Sequence, residues 1–294
     1  MTKFVCFGEV LWDVFPTCKK IGGAPLNVAL RLQSFQNEVA LISCLGNDTY
    51  GNELKSRLQE LGVTIDHIQL SKKLETSRVE VVLDAMGVAS YTIHDPCAWD
   101  DIQLNQELIS LVKNTKVFIF GSLAARNINS RNTLKKLLSV SEFSVFDVNL
   151  RPPHYNLRTI EILMNAADFI KFNDEELIEI VEKFDAKHLS FEQSIKFIAL
   201  KTNTRNICMT RGGKGAILFY ENSFYYNNGY QVKVVDTVGS GDSFLATLID
   251  ALLKKLNPQK AIDMACAVGA LVAQNQGANP TISTKEIDIF LQQY

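Results

Sequence analysis

Short apolar runs of strand length alternate along this chain with segments of helical periodicity. The runs are rich in β-branched and aromatic residues, and they cover residues 3–8, 39–45, 116–120, 144–148, 168–172 and 206–210. Helical patterns cover about 25–32, 50–61, 104–113, 129–139, 158–166, 174–184, 191–201, 241–255, 258–274 and 284–293. Continuously apolar strands separated by helices are typical of a parallel sheet covered on both faces. The pattern therefore predicts a three-layer α/β/α fold with a mainly parallel central sheet.

Some strand patterns fall outside this alternation and predict a second, smaller sheet. They cover residues 10–20, Thr76–Leu83 and Val88–His94, with a turn at Asp84–Gly87. A separate strand-rich part, Ala216–Tyr220 and Phe224–Val235, predicts a meander around residues 221–223. No linker or internal repeat divides the chain. We expect one domain, residues 1–294, whose small β lid is formed by segments at about 10–20 and 76–99.

The composition is that of an ordinary globular protein and argues against several classes of partner. The chain has 294 residues, of which 47% are hydrophobic, and a net charge of -2. Without a basic excess, neither nucleic acid nor an anionic membrane is expected as a partner. No run approaches the ~18 apolar residues of a membrane span, and the first apolar run is too short for a signal peptide. The six scattered cysteines favour free thiols in a reducing compartment, so we expect a cytoplasmic protein.

A glycine-rich segment near the C-terminus carries the strongest chemical signal. In Asp236-Thr-Val-Gly239-Ser240-Gly241-Asp242-Ser-Phe, an apolar run leads into a helical pattern. The glycines allow the backbone to approach a ligand, and the unpaired N–H groups of the first helical turn form an anion site. Asp242 would lie beside a phosphate bound there, where a carboxylate can take a proton from an alcohol. On the residues alone, a helix start with glycines for the turn and Asp for the dipole remains an alternative.

This segment closely resembles the C-terminal signature of the PfkB, or ribokinase-like, family of carbohydrate kinases. The resemblance implies an ATP-dependent sugar kinase in which Asp242 is the catalytic base and Gly239, Ser240 and Gly241 form the anion hole. The family usually has Ala where this chain has Ser240, and a small residue there should leave the amide donors intact. The family's cofactor is Mg²⁺, and some relatives also hold a monovalent cation such as K⁺.

The N-terminal segments resemble the same family in the same order. Gly8-Glu9-Val-Leu-Trp-Asp13 is similar to its first strand and its sugar-binding Asp, and Gly22-Gly23-Ala-Pro-Leu-Asn27-Val-Ala to its sugar-holding loop. The resemblance thus assigns Asp13, Gly22, Gly23, Asn27 and Asp242 to the sugar. The form Gly-Gly-Ala-Pro-x-Asn-Val-Ala is most similar to fructokinases. Gly46-Asn-Asp48-Thr-Tyr-Gly51 resembles the N-terminal signature, for which we expect a structural role.

Segments in the middle of the chain resemble the elements that handle phosphate and nucleotide. Asp147-Val-Asn149-Leu-Arg151 implies that Arg151 stabilises the transferred phosphate, although a surface salt bridge is the alternative on sequence alone. Asn173-Asp-Glu-Glu176 implies a nucleotide contact at Asn173 and a Mg²⁺ contact at Glu176, direct or through water. Acids in a first helical turn are otherwise ordinary caps.

The remaining resemblances concern the nucleotide and the monovalent cation. Thr210-Arg-Gly212-Gly-Lys-Gly215 is similar to the family's nucleotide element and implies contacts from Thr210, Gly212 and Gly215, whereas by itself it would be a hairpin turn. Gly277-Ala-Asn-Pro-Thr281 resembles the loop that, with Asp236, holds a monovalent cation in some relatives.

These resemblances favour a fructokinase-like enzyme that takes a small sugar and ATP. A ribokinase or 2-keto-3-deoxygluconate kinase is the nearest alternative, because one fold hosts many substrates. A non-catalytic sugar sensor is disfavoured by the intact Asp242, and a dinucleotide-dependent oxidoreductase by the lack of Gly-x-Gly-x-x-Gly after the first strand. Exposed edges of the lid strands would allow a homodimer.

Overall fold

Two sheets and ten α-helices make up the part of the chain that this computed structural model describes, residues 3–83 and 89–294. The strands are β1 (Phe4–Phe7), β2 (Leu11–Val14), β3 (Lys19–Gly22), β4 (Val39–Gly46), β5 (Ile68–Ser71), β6 (Arg78–Leu83), β7 (Ala89–Ile93), β8 (Val117–Gly121), β9 (Ser144–Asp147), β10 (Phe169–Asn173), β11 (Ile207–Thr210), β12 (Ala216–Tyr220) and β13 (Ser223–Asn227). The helices are α1 (Ala24–Ser34), α2 (Thr49–Glu60), α3 (Gln106–Lys113), α4 (Ile128–Leu138), α5 (Leu157–Asn165), α6 (Asp174–Lys183), α7 (Phe191–Thr202), α8 (Ser240–Leu253), α9 (Pro258–Ala273) and α10 (Thr284–Gln292).

The larger sheet has nine strands in the order β13-β12-β11-β10-β9-β8-β1-β4-β5. Every pair from β11 to β5 is parallel, and the hairpin β12–β13 adds two antiparallel strands at one edge. The predicted mainly parallel sheet and all six predicted core strands are therefore confirmed.

The central strands are buried on both faces, which accounts for their continuous apolar sequences. In β1, Val5 and Phe7 belong to one core cluster, whereas Phe4 and Cys6 belong to another on the opposite face. Helices α3 to α7 contribute to the first cluster, and α1, α2, α8 and α9 to the second. This is the expected three-layer α/β/α architecture.

The smaller sheet has the order β3-β2-β6-β7. β2 pairs with β3 and β6 with β7 in antiparallel fashion, while β2 and β6 run parallel. The predicted turn at residues 84–87 lies outside the described residues. The sheet places Asp13 on β2 and Gly22 on β3 beside the carboxyl end of β1.

Two edge elements differ from the predictions. The strand expected over Phe224–Val235 ends at Asn227, because the Asn227 carboxamide oxygen accepts from Gly229 N–H and Gly229 has φ of 81°, which turns the chain away. β5 was not predicted, since it has only four residues, two of them polar, at the sheet edge.

Two features of the cysteines and the helices complete the description of the fold. All six cysteines are free thiols, five of them buried and Cys18 exposed. No helix in residues 3–83 and 89–294 has the length and apolar character needed to cross a membrane.

Candidate active site at the carboxyl ends of the strands

Polar side chains converge where the parallel strands end and where two helices begin. Glu9 follows β1, Asp147 ends β9 and Asn173 ends β10, and each lies at the carboxyl edge of the larger sheet. Helices α1 and α8 pack against each other and start at this edge. In open α/β sheets, the crevice at this edge is where ligands bind.

Asp242 lies in the first turn of α8 and is held by a residue from the start of the chain. Its Oδ2 accepts a hydrogen bond from Asn27 Nδ2 at 2.8 Å, and Asn27 is only 4% exposed. Burial and the nearby Asp147 carboxylate raise the pKa of Asp242 to about 6, against the opposing effects of Asn27, Lys171 and Arg151. The carboxyl group is therefore ionised at neutral pH and is more basic than an ordinary Asp.

The turn before Asp242 has a backbone that only glycine accommodates easily. Gly239 has φ of 75°, and a side chain there would meet the Ala278 backbone at 2.6 Å. Ser240 Oγ donates to the Gly269 carbonyl of α9 at 2.8 Å. The Ser240 hydroxyl is thus engaged with a neighbouring helix.

Lys171 places a buried cation against this turn, and we did not predict it from the sequence. Its Nζ lies 2.9 Å and 3.1 Å from the two carboxylate oxygens of Asp147, and 3.5 Å from where a side chain on Gly241 would begin. Burial opposes its charge, but the carboxylates of Asp147, Glu176 and Asp242 prevail and raise the pKa of Lys171. The available signal was a single charged residue inside the apolar strand Phe-Ile-Lys-Phe, because a buried charge requires a partner.

The smaller sheet contributes a second carboxylate, Asp13, next to the glycine loop. A side chain on Gly22 would overlap the Asp13 carboxylate, and one on Gly23 would overlap the backbone of Glu9. Burial raises the pKa of Asp13 to about 6, against the cations of Lys20 and Arg151. Gly22 therefore allows the Asp13 carboxylate to pack directly on the backbone, and Gly23 allows the loop to pack on the backbone of Glu9.

Glu9 is a third acid at the site, and we assigned it no role from the sequence. It is 3% exposed, and its Oε2 has no hydrogen-bond partner among the described residues. Burial raises the pKa of Glu9 to about 7, opposed by backbone hydrogen bonds and by Arg151. The positive charge of Arg151 opposes the rise in the pKa of Glu9, Asp13 and Asp242 alike.

The predicted nucleotide residues meet on the neighbouring strands β10 and β11. Asn173 and Thr210 are register partners, and Asn173 caps α6 by accepting from Glu176 N–H. Glu176 accepts from Leu150 N–H and from Asn173 N–H, each at 2.8 Å. Burial raises the pKa of Glu176, while Lys171 opposes the shift. Glu176 thereby connects the loop after β9 to the start of α6.

The glycines after β11 divide into two kinds. Gly212 has φ of 52°, and a side chain there would meet no atom within 4 Å, so its backbone faces open space. Gly215 has φ of 82°, and a side chain there would overlap the Asn227 carbonyl. Gly212 is therefore accessible to a ligand, whereas Gly215 serves close packing.

Asp236 connects the segment before α8 to the loop at residues 277–281. Its Oδ1 accepts from Val238 N–H and its Oδ2 from Gly277 N–H, each at 3.0 Å. Arg31 reinforces this junction, since it donates to Ser243 Oγ and to the Pro280 carbonyl. Helix α1 and the loop at 277–281 are thus fixed around the start of α8.

Comparison with known proteins identifies the family. Residues 1–285 match the pfkB family of carbohydrate kinases. This chain belongs to that family. The kinase therefore transfers a phosphate group to a sugar hydroxyl.

Individual relatives agree with this assignment. Fructokinase-2 of Solanum habrochaites is 27% identical, with 95% of this chain and 93% of the relative covered. Probable fructokinase-3 of Arabidopsis thaliana is 26% identical over 95% of this chain and 88% of the relative. A fructokinase from Vibrio cholerae, solved with fructose, ADP and calcium, superposes with a TM-score of 0.83 at 25% identity and covers 99% of both chains.

Proposed function

We propose that this pfkB-family kinase transfers the γ-phosphate of ATP to a hydroxyl group of fructose, with Asp242 as the general base. The observation that carries the proposal is the position of Asp242 in the first turn of α8, beside Gly239–Gly241 and hydrogen-bonded to Asn27. Fructose is supported by the sugar-loop sequence and by the fructokinases among the relatives.

The sugar would bind between the smaller sheet and the start of α1. Asp13 offers carboxylate oxygens as acceptors for sugar hydroxyls, and Asn27 offers an amide donor. Gly22 and Gly23 let the backbone approach the ring. A sugar that lacks the matching hydroxyl leaves the carboxylate unpaired, which makes Asp13 a specificity determinant.

The chemical step needs a base on one side and positive charge on the other. Asp242 orients the acceptor hydroxyl and takes its proton as the oxygen attacks phosphorus, and the leaving oxygen stays on ADP. The amides of Gly239 and Gly241 would meet the charge on the transferred phosphoryl oxygens, whereas Ser240 N–H already donates to the Thr237 carbonyl at 3.2 Å. Lys171 and Arg151 add two cations at this point.

The residues on the nucleotide side of the site fit a Mg²⁺ ion that keeps most of its water ligands. Among the described residues no group of three His, Cys, Asp or Glu side chains could cage a metal. Both oxygens of the buried Glu176 carboxylate already accept backbone N–H groups, so Glu176 would act on Mg²⁺ through bound water. When bound, Mg²⁺ would neutralise charge on the phosphates, while Asn173, Thr210 and Gly212 position the nucleotide and the close packing of Gly215 fixes the shape of their loop.

The candidate K⁺ site at Asp236 fits less directly. Both Asp236 oxygens already accept backbone N–H groups, so this residue would shape the loop at 277–281. Oxygen atoms of that loop would then supply the contacts to the cation.

The smaller sheet would act as the lid over the sugar and exclude water from the phosphoryl group. Its end strands are β3 and β7. Pairing along such an edge is the form that a homodimer of this kinase would take.

The first test measures ADP release with Mg·ATP against a panel of sugars: fructose, ribose, glucose and 2-keto-3-deoxygluconate. We expect clear selectivity for fructose. Selectivity for another sugar would keep the kinase and reject fructose as its substrate. A panel without turnover, in a protein that still binds a sugar, would favour a sensor.

The second test replaces the base. We expect Asp242→Ala to lower kcat by about 10²- to 10⁴-fold, the range typical of general bases, while calorimetry still detects sugar binding. The exposed acid Asp288, changed to Ala, is the matched control and should retain normal turnover. Near-normal kcat in Asp242→Ala would reject the assigned base.

A further inference from the structure

Two carboxamides in series connect the C-terminal loop to Asp242. Asn279 Nδ2 donates to Asn27 Oδ1 at 2.8 Å, and Asn27 Nδ2 donates to Asp242 Oδ2 at 2.8 Å. Asn27 is buried, whereas Asn279 reaches it from an exposed position in the loop at 277–281. Asn279 lies in the Gly277–Thr281 segment that resembles the family's cation loop, but the sequence assigned no role to its side chain.

The loop that carries Asn279 is held on both sides of that residue. Gly277 N–H donates to Asp236, and the Pro280 carbonyl accepts from Arg31 Nη2 at 2.9 Å. Arg31 also donates to Ser243, which directly follows Asp242. Asn279 is therefore fixed relative to α1 and α8, and its amide has a defined place from which to reach Asn27.

The chemistry of a carboxamide makes this contact directional. Asn carries an acceptor on one side of its planar head and two N–H donors on the other. Because Asn279 donates to the oxygen of Asn27, that oxygen is turned away from Asp242. Both N–H groups of Asn27 are then directed to the active site, one for Asp242 and one for the substrate.

We propose that Asn279 is a positioning residue that fixes the orientation of the Asn27 carboxamide, so that Asn27 presents only donors to Asp242 and to an oxygen of the sugar. The inference rests on the proposed function of Asp242 as the base. It also specifies the substrate: the sugar atom that Asn27 meets acts as an acceptor. Without Asn279, the head of Asn27 can rotate and place its oxygen against the Asp242 carboxylate.

Several charged groups also face Asp242, and their effect on its pKa has to be separated from that of Asn279. Asp147 and Lys171 face it from β9 and β10, Arg151 from the loop after β9, and Glu9 from the end of β1. None of them contacts Asn279 through a hydrogen bond or ion pair recorded in the described residues. A change at Asn279 therefore leaves these four groups in place.

The test uses the full-length protein and the variant Asn279→Asp. Its carboxylate can only accept, so Asn27 must turn to donate to it and then presents oxygen to Asp242. The ionised form of Asp242 loses a donor, its pKa rises, and less base is available at a given pH. We expect the acid limb of kcat/KM to move about one pH unit higher.

Asn279→Ala, which only frees the amide, should lower kcat/KM by about 2- to 10-fold, the worth of one neutral hydrogen bond.

The matched control is Gln276→Asp, which adds the same charge at the exposed position directly before this loop. It should move the acid limb much less than Asn279→Asp. Equal shifts in the two variants would mean that charge alone acts, and an unmoved limb in Asn279→Asp would also overturn the inference. If Asn279→Asp does not fold, the loss of kcat/KM in Asn279→Ala decides the question, with an unchanged value counting against the inference.

A second measurement separates this inference from the proposed function. Carbon NMR of selectively labelled Asp carboxyls, with the Asp242 signal assigned through Asp242→Asn, follows its titration in the free protein. A shifted Asp242 titration in Asn279→Asp supports the positioning role even if no sugar is turned over. Turnover of sugar by the wild type with identical Asp242 titrations in the two proteins would retain the kinase and reject the role of Asn279.

Discussion

At the scale of single residues, the site concentrates carboxyl groups whose pKa values are raised. Glu9, Asp13 and Asp242 are partly or fully buried, and burial is the main cause of the raised pKa of each. Perturbed acids of this kind are typical of catalytic sites. They also give the reaction a defined dependence on pH.

We expect kcat/KM to fall as the pH drops below about 6. The base acts only when ionised, and burial raises the pKa of Asp242 to about 6, so acid removes the active form. The measurement is a pH profile of kcat/KM between pH 5 and 9. A profile that is flat down to pH 5 would contradict an Asp242 base with this pKa.

Asp13→Ala should mainly weaken sugar binding. The variant loses a charged acceptor for sugar hydroxyls, which is worth about 10- to 100-fold in affinity. Calorimetric titration with the sugar measures the change, and Asp66→Ala, an exposed acid outside the site, is the control. Unchanged affinity would remove Asp13 from the sugar site.

Sequence motifs located most of the residues that the structure brings together, but they missed those that act through burial. Asp242, Asn27 and Asp13 were found because each lies in a recognisable pattern. Lys171 was missed because nothing in its own strand shows that Asp147 is its partner. The contact from Asn279 joins residues 252 positions apart, and no local pattern specifies such a pairing.

At the scale of elements, the N-terminal signature, Gly46–Gly51, holds the segment that leads into β6 of the smaller sheet. Asp48 accepts from Gly51 N–H and from Thr76 N–H, each at 2.7 Å, and Thr76 Oγ1 accepts from Gly46 N–H at 2.9 Å. A side chain on Gly51 would meet Thr76 Oγ1 at 2.6 Å. The expected structural role of this signature agrees with these contacts, which fix where β6 begins.

The segment that leaves β7 of the smaller sheet is held by a buried arginine. Arg126 donates to the His94 carbonyl at 2.7 Å and to both oxygens of Asp100, and it lies over the Trp99 ring. Ala98 N–H donates to the Glu75 carbonyl at 2.8 Å, which joins the two segments. The smaller sheet is thus attached at a rigid base.

Thr76→Val should destabilise the fold by about 1–3 kcal/mol, because it keeps the shape but leaves the buried Gly46 N–H without its acceptor. Urea unfolding measures the loss, and Thr64→Val, at an exposed position, is the control. Equal stability of the Thr76 variant and the wild type would show that this contact contributes nothing.

Element types were predictable because long apolar runs and helical periods dominate the core of this fold. The failures lie at the margins. The strand after Phe224 is cut short by an Asx turn at Asn227, and β5 is too short and too polar to stand out. The first is set by local turn geometry and the second by pairing with β4, and hydrophobic periodicity reports neither.

At the scale of the whole molecule, an ionised active site costs stability. A folded-state pKa of about 6 for Asp242, above its ordinary value of 3.8, means that the folded protein binds this proton more tightly than the unfolded chain. Protonation of Asp242 therefore adds to the free energy of unfolding. This contribution is fully present below about pH 4 and is lost as the pH rises through about 6.

Asp242→Asn should therefore be more stable than the wild type at pH 8 and no more stable at pH 4. We expect Tm to rise by about 2 to 4 °C at pH 8, which corresponds to roughly 1 kcal/mol in a chain of this size. Differential scanning calorimetry at the two pH values measures it. A Tm gain of the same size at both would show that ionisation is not the cause.

The hydrogen bond between Asn27 and Asp242 joins residues 215 positions apart. A ribosome therefore completes Asp13, the glycine loop and Asn27 long before it adds the base. A messenger RNA with a premature stop codon ahead of residue 242 yields, at best, a fragment with sugar ligands and no catalyst. Because synthesis runs at about 5–20 residues per second, the nascent chain spends at least ten seconds or so in that state.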